Sequence, residues 1–427
     1  MNYDVLIVGG RPSGATLAAR LGARQKKVLV LEKAIFPSLP NVPSSPAVHP
    51  GAMELLDEIG IPESAYASDH ARMRHVRFNV AGLFSTVMRT PTLAAGRDYT
   101  YGVDRAVFDT ACWHNLDRFP TVEKRQGFTV TDLVKEGQQV VGIVGNSNDG
   151  PSETIKARAV IGADGRFSFV ARKCGAPVIE EQDTCTSTVY YADWAGVRPV
   201  CDEGPATFVY TTVRGLDVLF FAMPNGLYSV NTHQRSDRVD IGGKPENYYL
   251  NTLKSIPEVW RYLEKAERTT PLSGIKRIGN GYRQPSGPGW ALVGDALHYK
   301  DPVDGQGIYD ALLETKLLDQ ALSLWLSGAR TWDDAMKAYR DDVWAATQPM
   351  FKTTVGRLKR ELYDEPPWPV VRTLIRWTVT DPIYQETFLR ILGRDLPPGR
   401  LTSKRLMAGC IQRGIARDAL SLFKNTR

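Results

Sequence analysis

The first 32 residues constrain the fold of this chain more than any other stretch. Asp4-Val5-Leu6-Ile7-Val8 has the length and composition of a short buried strand. Gly9-Gly10-Arg11-Pro12-Ser13-Gly14 follows, and then Ala15 to Ala23, small and apolar residues at helical spacing. Val28-Leu29-Val30-Leu31 reads as a second buried strand, ended by Glu32. This is the βαβ unit of a dinucleotide-binding sheet. In such a unit the first glycine permits the tight turn and Gly14 lets helix and strand pack closely. The pyrophosphate sits on the helix N-terminus, and the acid, here Glu32, takes the ribose hydroxyls of the adenosine half. One position departs from the G-x-G-x-x-G fingerprint, because Arg11 stands where the middle glycine belongs. A side chain there hinders approach to the backbone unless it turns away, with Gly10 absorbing part of the strain. Its guanidinium is equally suited to pair with a phosphate.

A second stretch has the same logic. The apolar run Trp290 to Val293 leads into Gly294-Asp295, and Pro302, Gly305 and Gly307 precede a helical pattern of Ile308, Ala311, Leu312, Leu318, Leu322 and Trp325. Strand, carboxylate, loop and helix N-terminus favour a ligand that is partly anionic and flat or phosphorylated, since the first N–H groups of a helix lack partners and carry its positive end. Asp295 can accept hydrogen bonds from that ligand's hydroxyls. A third stretch, Ala157 to Ile161, reads as a strand and ends in Gly162-Ala163-Asp164-Gly165-Arg166, with a helix start at Ser168. Alone, that Asp-Gly is a turn.

Together, in this order and at these distances, the three motifs resemble the FAD-dependent monooxygenase superfamily of the para-hydroxybenzoate hydroxylase type, which also holds geranylgeranyl reductases and flavin halogenases. Phe36-Pro37-Ser38 with His49-Pro50-Gly51, and Val103-Asp104-Arg105 ahead of Phe108-Asp109, are similar too. The resemblance covers residues 1–345. It implies an α/β fold: a Rossmann-like, three-layer FAD-binding domain, an inserted antiparallel β-sheet substrate domain and a C-terminal helical region. It implies FAD contacts at Gly9, Arg11, Pro12, Ser13, Gly14, Glu32 and Lys33, at Arg105 along the cofactor, and at Val130, with Asp164, Gly165 and Arg166 in a motif associated with both FAD and NADPH. Gly294 and Asp295 would approach the ribityl and pyrophosphate region, and Pro302, Gly305, Gly307 and Ile308 the flavin pyrimidine edge, where the helix dipole favours the anionic reduced ring.

The implied activity is that of a monooxygenase. NADPH or NADH, as a transient reductant, reduces FAD, and molecular oxygen then gives a C4a-hydroperoxide. That species hydroxylates or epoxidises an apolar, aromatic or polycyclic small molecule, in a site that must exclude water. There is no second G-x-G-x-x-G, so the nicotinamide docks transiently or a partner flavin reductase supplies reduced flavin. Three alternatives stand beside this reading. A reductase of prenyl double bonds would carry a Tyr-x-Trp-x-Phe-Pro-like motif, and Phe220-Phe221-Ala222-Met223-Pro224 lacks the Trp. A flavin halogenase would carry Trp-x-Trp-x-Ile-Pro, and no such string occurs. A non-catalytic binder that has lost its flavin is opposed by Glu32, Asp295, Gly305 and Gly307.

Composition sets wider bounds. With 427 residues, 43% apolar and 23% charged, the chain can bury a large core in two or three domains. The net charge of +6 is not gathered into a basic run, which argues against nucleic acid as a partner. Cys112, Cys174, Cys185, Cys201 and Cys410 are odd in number and show no C-x-x-C spacing, so they read as free thiols. The chain enters its first strand within a few residues of Met1 and has no apolar run of membrane-spanning length, so a cytoplasmic protein is expected. The expected organisation is a discontinuous FAD-binding domain (1–75, 101–178 and 286–345), a substrate sheet (76–100 and 179–285) and a helical region (346–427). Residues 251–266 read as helical. Apolar stripes at Val370–Trp377, Tyr384–Leu392 and Leu401–Phe423 suggest a helical cap on the core, or a lid, membrane-surface or dimer element, with breaks at Pro366-Pro367 and Pro397-Pro398.

Few residues stand out for chemistry. His49, after a Pro- and Ser-rich loop, and Tyr210 are the catalytic candidates. His298 suits a structural role better. Tyr190, Tyr210, Phe220 and Phe221 suit either an apolar pocket or the sheet core. No metal-ligand spacing occurs.

Overall fold

The computed structural model describes residues 3–40, 42, 44–68, 71–93, 96–148, 150–364 and 368–425. Pro366-Pro367 and Pro43 lie outside them. The chain opens with β1 (Tyr3–Val8), α1 (Pro12–Ala23) and β2 (Val28–Glu32), followed by α2 (Pro50–Asp57), β3 (His75–Val80), β4 (Phe84–Arg89) and α3 (Arg105–His114). A run of strands comes next: β5 (Val122–Gln126), β6 (Phe128–Glu136), β7 (Gln139–Ser147) and β8 (Glu153–Gly162), then α4 (Phe169–Cys174). The insert holds β9 (Val178–Ala195), β10 (Ala206–Thr211), β11 (Leu216–Ala222), β12 (Tyr228–Arg235), α5 (Pro245–Lys254), α6 (Pro257–Leu263) and β13 (Ser273–Arg283). The chain returns through β14 (Trp290–Leu292) and ends in helices α7 (Gly307–Leu326), α8 (Trp332–Leu358), α9 (Trp368–Val379), α10 (Pro382–Leu392) and α11 (Lys404–Asn425).

Five strands form a parallel sheet in the order β14-β8-β1-β2-β5. Its central strands are apolar on both faces because helices cover both; β2 is buried at every residue. The helix α1 lies close because its contact face is glycine and alanine: a Cβ on Gly22 would come within 2.6 Å of Val122. The first half of β8 pairs with β7 in an antiparallel meander, and its second half joins the parallel sheet.

The second sheet runs β13-β9-β12-β11-β10-β3-β4. Its pairs are antiparallel except β10 with β3, where the strand pair from residues 75–89 joins the insert in parallel. One face packs on α5 and α6 through Trp194, Phe208, Phe220, Tyr249 and Tyr262. The helix expected over 251–266 is two, broken before Pro257, whose ring cannot continue the first. Past the opposite edge, His298–Tyr299 adds to β13, so the loop after β14 is itself stitched to this sheet. The helix α8 runs unbroken through residue 345, because Ala335, Met336, Tyr339, Val343, Met350 and Phe351 keep one buried stripe; the boundary expected there falls inside a helix. Among the described residues no helix is long and apolar enough to cross a membrane.

Candidate functional site

The turn after β1 explains which glycines are needed. Gly9 has φ +102, and a Cβ there would lie 2.4 Å from the Ala163 carbonyl oxygen. A Cβ on Gly14 would lie 1.8 Å from the Gly9 oxygen, so this position admits glycine alone. Arg11, in contrast, is the N-cap of α1 with φ −76 and ψ −172, ordinary extended backbone. The Arg11 side chain lines the cleft and is held by groups of other elements. Its Nη1 donates to Asp109 Oδ2 (2.6 Å) and the Ser38 carbonyl (3.0 Å), and its Nη2 to Ser38 Oγ (3.1 Å) and the Leu39 carbonyl (2.9 Å). Asp109 is fully buried and also accepts from Arg105 Nε at 3.0 Å and Nη2 at 3.2 Å. Two guanidiniums thus share one carboxylate beside the start of α1. Nothing local in the sequence marks that trio, apart from the Arg105–Asp109 spacing of one helical turn.

Glu32 is buried and braces the turn. Its Oε2 accepts from Gly10 N (2.8 Å) and its Oε1 from Ala34 N (2.9 Å), which leaves one lone pair on each oxygen for a ribose. Asp164 is drawn inward: Oδ1 accepts from Ser168 Oγ (2.6 Å), the N-cap of α4, and Oδ2 accepts from the first helical N–H groups, Phe169 N (2.7 Å) and Val170 N (3.1 Å). Burial raises its pKa, against those hydrogen bonds. Arg166 donates to the Gly279 and Lys300 carbonyls and lies over Tyr299, which fastens the Asp-Gly turn to the 294–307 loop.

That loop is built on buried charge. Gly294 has φ +66, and its N–H donates to Glu314 Oε2 at 2.5 Å. His298 stacks on Tyr282, with Nδ1 2.6 Å from Glu314 Oε1, close enough to pair in charge though out of line for a hydrogen bond. Burial alone would lower the His298 pKa, but Glu314 and Asp310 raise it to about 9. Asp310, in the first turn of α7, pairs with Lys300 and with Arg394 just after α10; burial would raise its pKa, and these cations hold it far below the carboxylate range. The Asp295 carboxylate has no hydrogen-bond partner among the described residues.

Every proposed cofactor residue except Gly14 lines one cleft of about 510 Å3. Glu32 and Lys33 line it, then Gly9, Arg11, Pro12 and Ser13, then Arg105, Val130, Asp164 and Gly165, and finally Gly294, Asp295, Pro302, Gly305, Gly307 and Ile308. Gly14 instead packs behind the turn. Neither α1 nor α7 has a side-chain cap, so two helix N-termini open onto the same cleft with free N–H groups. Gly165 and Gly307 face open space where a Cβ would protrude. This donor set fits a flat, diphosphate-bearing cofactor: helix ends for the diphosphate, a free carboxylate for hydroxyls, bare backbone for a ring.

A second, smaller cavity of about 70 Å3 meets the cleft at Gly305. Met73, Val76, Phe78, Leu93, Val209, Leu219 and Phe221 make its apolar walls, and Phe388, Leu389 and Leu392 of α10 close it. His49 stands at the junction. Its Nδ1 lies 3.2 Å from Thr100 Oγ1, and its buried Nε2 has no partner among the described residues. A Cβ on Gly305 would fall 3.2 Å from that Nε2. Burial first, then Arg394, lowers the His49 pKa to about 4, so the ring is neutral near neutral pH. Tyr210 is elsewhere, in the core between the sheet and α5–α6, and lines neither cavity. Tyr190 and Phe220 share that core, and only Phe221 of the aromatic set reaches the cavity, since neighbouring strand residues point to opposite faces.

A family model described as an FAD binding domain matches residues 2–353. The chain is 25% identical over 357 residues to a 1H-pyrrole-2-carbonyl-[peptidyl-carrier protein] brominase of Pseudoalteromonas luteoviolacea, covering 80% of this chain and 82% of that protein. It is 27% identical over 327 residues to a digeranylgeranylglycerophospholipid reductase of Methanosphaerula palustris (74% and 75% covered). It is 25% identical over 337 residues to a probable NADH-specific resorcinol 4-hydroxylase of Rhodococcus jostii (76% and 59%). A solved flavin-dependent brominase superposes with a TM-score of 0.78 at 19% identity over 100% of both chains, so the shared fold includes the C-terminal helices.

Proposed function

The chain belongs to the FAD binding domain family, and from that premise we propose that it is an FAD-dependent monooxygenase acting on a small electron-rich aromatic compound. The observation that carries this is the apolar cavity that meets the cleft at Gly305 beneath an unpartnered, neutral His49. The cleft residues would hold FAD, and reduced FAD supplies the electrons that activate oxygen for transfer. The protein's own part is to bind, orient and keep dry. The walls and the α10 cap exclude water from the ring edge. His49 Nε2, neutral and unpaired, accepts a hydrogen bond from a substrate O–H or N–H, which orients the ring and raises its electron density where transfer occurs. At about 70 Å3 the cavity is far smaller than the ~300–1,000 Å3 of sites for drug-sized ligands, which favours a single ring over a polycycle or a prenyl chain. The resorcinol hydroxylase is a relative of this kind, and its name supports NADH as the reductant.

Oxygen-dependent NADH and NADPH oxidation, with a panel of single-ring phenols and pyrroles, tests the reading. A product heavier by one oxygen atom is expected. The brominase likeness favours one second reading, halogen transfer to the same kind of ring. A halogenated product that requires bromide or chloride would replace the first reading with it. Anaerobic saturation of a polyprenyl substrate would sink both.

A further inference from the structure

The turn from Asp301 to Gly305, between cleft and cavity, is held at both ends by buried charges from other elements. At one end Asp304 accepts from Arg357 Nη1 (2.5 Å) and Thr354 Oγ1 (2.8 Å) of α8. At the other end Asp301 is fully buried. It accepts from Val303 N (3.0 Å) and from the Ser187 hydroxyl on β9, and its Oδ1 lies 3.0 Å from Nε2 of His233 on β12. His233 is buried too, and its Nδ1 has no hydrogen-bond partner among the described residues. That Nδ1 stands 4.0 Å from Oδ2 of Asp217 on β11, whose Oδ1 is likewise unpartnered. The remaining charges facing the pair are Glu361 and Arg357, which bond each other at 2.7 Å. Asp217, Leu219 and Phe221 alternate along one face of β11, and the latter two wall the small cavity. The chain Asp301–His233–Asp217 therefore ties the cavity wall to the loop at the cleft.

We propose that His233 is a positioning residue: shared as an imidazolium between Asp301 and Asp217, it fixes the Asp301–Gly305 turn and so sets how tightly the flavin edge is seated. The inference rests on assigning Pro302–Ile308 to the flavin edge, and not on whether oxygen or halogen is transferred. Burial alone would lower the His233 pKa, but Asp301, with Asp217 and Glu361, raises it above the ordinary value. Burial would raise Asp301, and His233 and Ser187 hold it low. Burial, with Glu361, pushes Asp217 up to about 7. A histidine raised in this way contributes fully below its unfolded pKa of ~6.5 and loses that contribution as pH rises through its folded value. That linkage concerns folding; the link to the cofactor is the turn, which loosens when His233 gives up its proton to solvent, so flavin affinity should fall on the alkaline side.

The test is FAD titration into apoprotein between about pH 6 and about pH 10, across the histidine range, for wild type and His233→Gln, together with NMR titration of the histidine rings. His298 titrates from the other side of the loop and Asp217 from the cavity wall, so slope remaining in His233→Gln belongs to these two groups. Wild type is expected to lose about tenfold in affinity over this range, or ~1.4 kcal/mol. His233→Gln, whose amide still donates to Asp301, should lose one proton's worth of slope and shift the midpoint potential of bound flavin. An unchanged pH profile in His233→Gln overturns the proposal, as does an NMR signal showing His233 neutral at pH 7. That NMR measurement decides alone if the variant does not fold. Undiminished FAD affinity in Gly307→Val overturns the seat assignment, and this inference with it.

Discussion

Restoring the fingerprint glycine should damage this protein. Arg11→Gly gives the turn the residue that the G-x-G-x-x-G pattern asks for, yet the backbone at Arg11 (φ −76, ψ −172) makes no use of glycine's freedom. What the substitution removes is specific. The bond from Arg11 to Asp109 is charge-assisted and ends on a fully buried carboxylate. Such bonds contribute ~1.5–3 kcal/mol, and breaking a buried ion pair outright costs ~3–5 kcal/mol. The upper figure does not apply, because Asp109 keeps both bonds to Arg105 and the Arg11 side chain is 21% exposed. The bonds to Ser38 and Leu39 are nearer solvent and count for little once water replaces them. Glycine adds ~0.4–1 kcal/mol through the greater freedom of the unfolded chain. Together these give a loss of about 3 kcal/mol. Urea unfolding of the FAD-free protein, followed by tryptophan fluorescence, should show the midpoint falling at an unchanged m-value. Arg11→Lys, which keeps the charge but not the fork, should lie between the two. FAD affinity should fall as well, because residues 36–39 lose their tether to the cleft wall. A Arg11→Gly stability within ~0.5 kcal/mol of wild type, or tighter FAD binding, would refute the reasoning.

Asp295→Ala should weaken FAD more than Arg11→Gly does, since the Asp295 carboxylate is unpaired in the cleft while the Arg11 guanidinium, also at the cleft, is already engaged by Asp109, Ser38 and Leu39; equal or reversed losses in a flavin titration would count against this anchor. His49→Gln should change the acid limb of stability. The wild-type ring, with its pKa lowered to about 4, must take up a proton on unfolding. Its contribution is therefore present above pH ~6.5 and lost as pH falls toward 4, on the order of 2–3 kcal/mol. His49→Gln should flatten that limb in pH-dependent unfolding, and an unaltered limb would show that the ring is not buried neutral. Phe388→Ala opens the α10 cap, so more hydrogen peroxide should form per NAD(P)H consumed, read with a peroxidase-coupled assay; unchanged coupling would remove α10 from the water barrier.

The parts of this molecule that were legible in the sequence are those whose geometry is local. The turn Gly9–Gly14 and the loop Gly294–Gly307 each lie within one strand-turn-helix step; Gly14 is dictated by the Gly9 oxygen a few residues away, and Gly9, Gly294 and Gly305 by local left-handed backbone with φ of +102, +66 and +63. What was not legible depends on side chains that meet across the fold. Arg11 finds Asp109 in α3, His233 finds Asp301 in a loop 68 residues further on, and Phe220 and Phe221 are told apart only by which face of β11 becomes core. The same division runs through the site. The family match ends at residue 353, and within it lies the whole cleft expected to seat FAD. Arg357, Phe388, Leu389, Leu392 and Gly393, which close the small cavity, and Arg394, which reaches back to Asp310 and Gln306, all lie beyond it. A cofactor common to many activities imposes the same helix ends and bare backbone on each. A substrate imposes only a shape and a few polar atoms, and one wall of the small cavity comes from the C-terminal helices. Chains that share this cleft can therefore differ in chemistry through residues 354–394, and exchange of that segment between a hydroxylase and a halogenase of this fold should carry substrate choice with it while leaving FAD affinity in place.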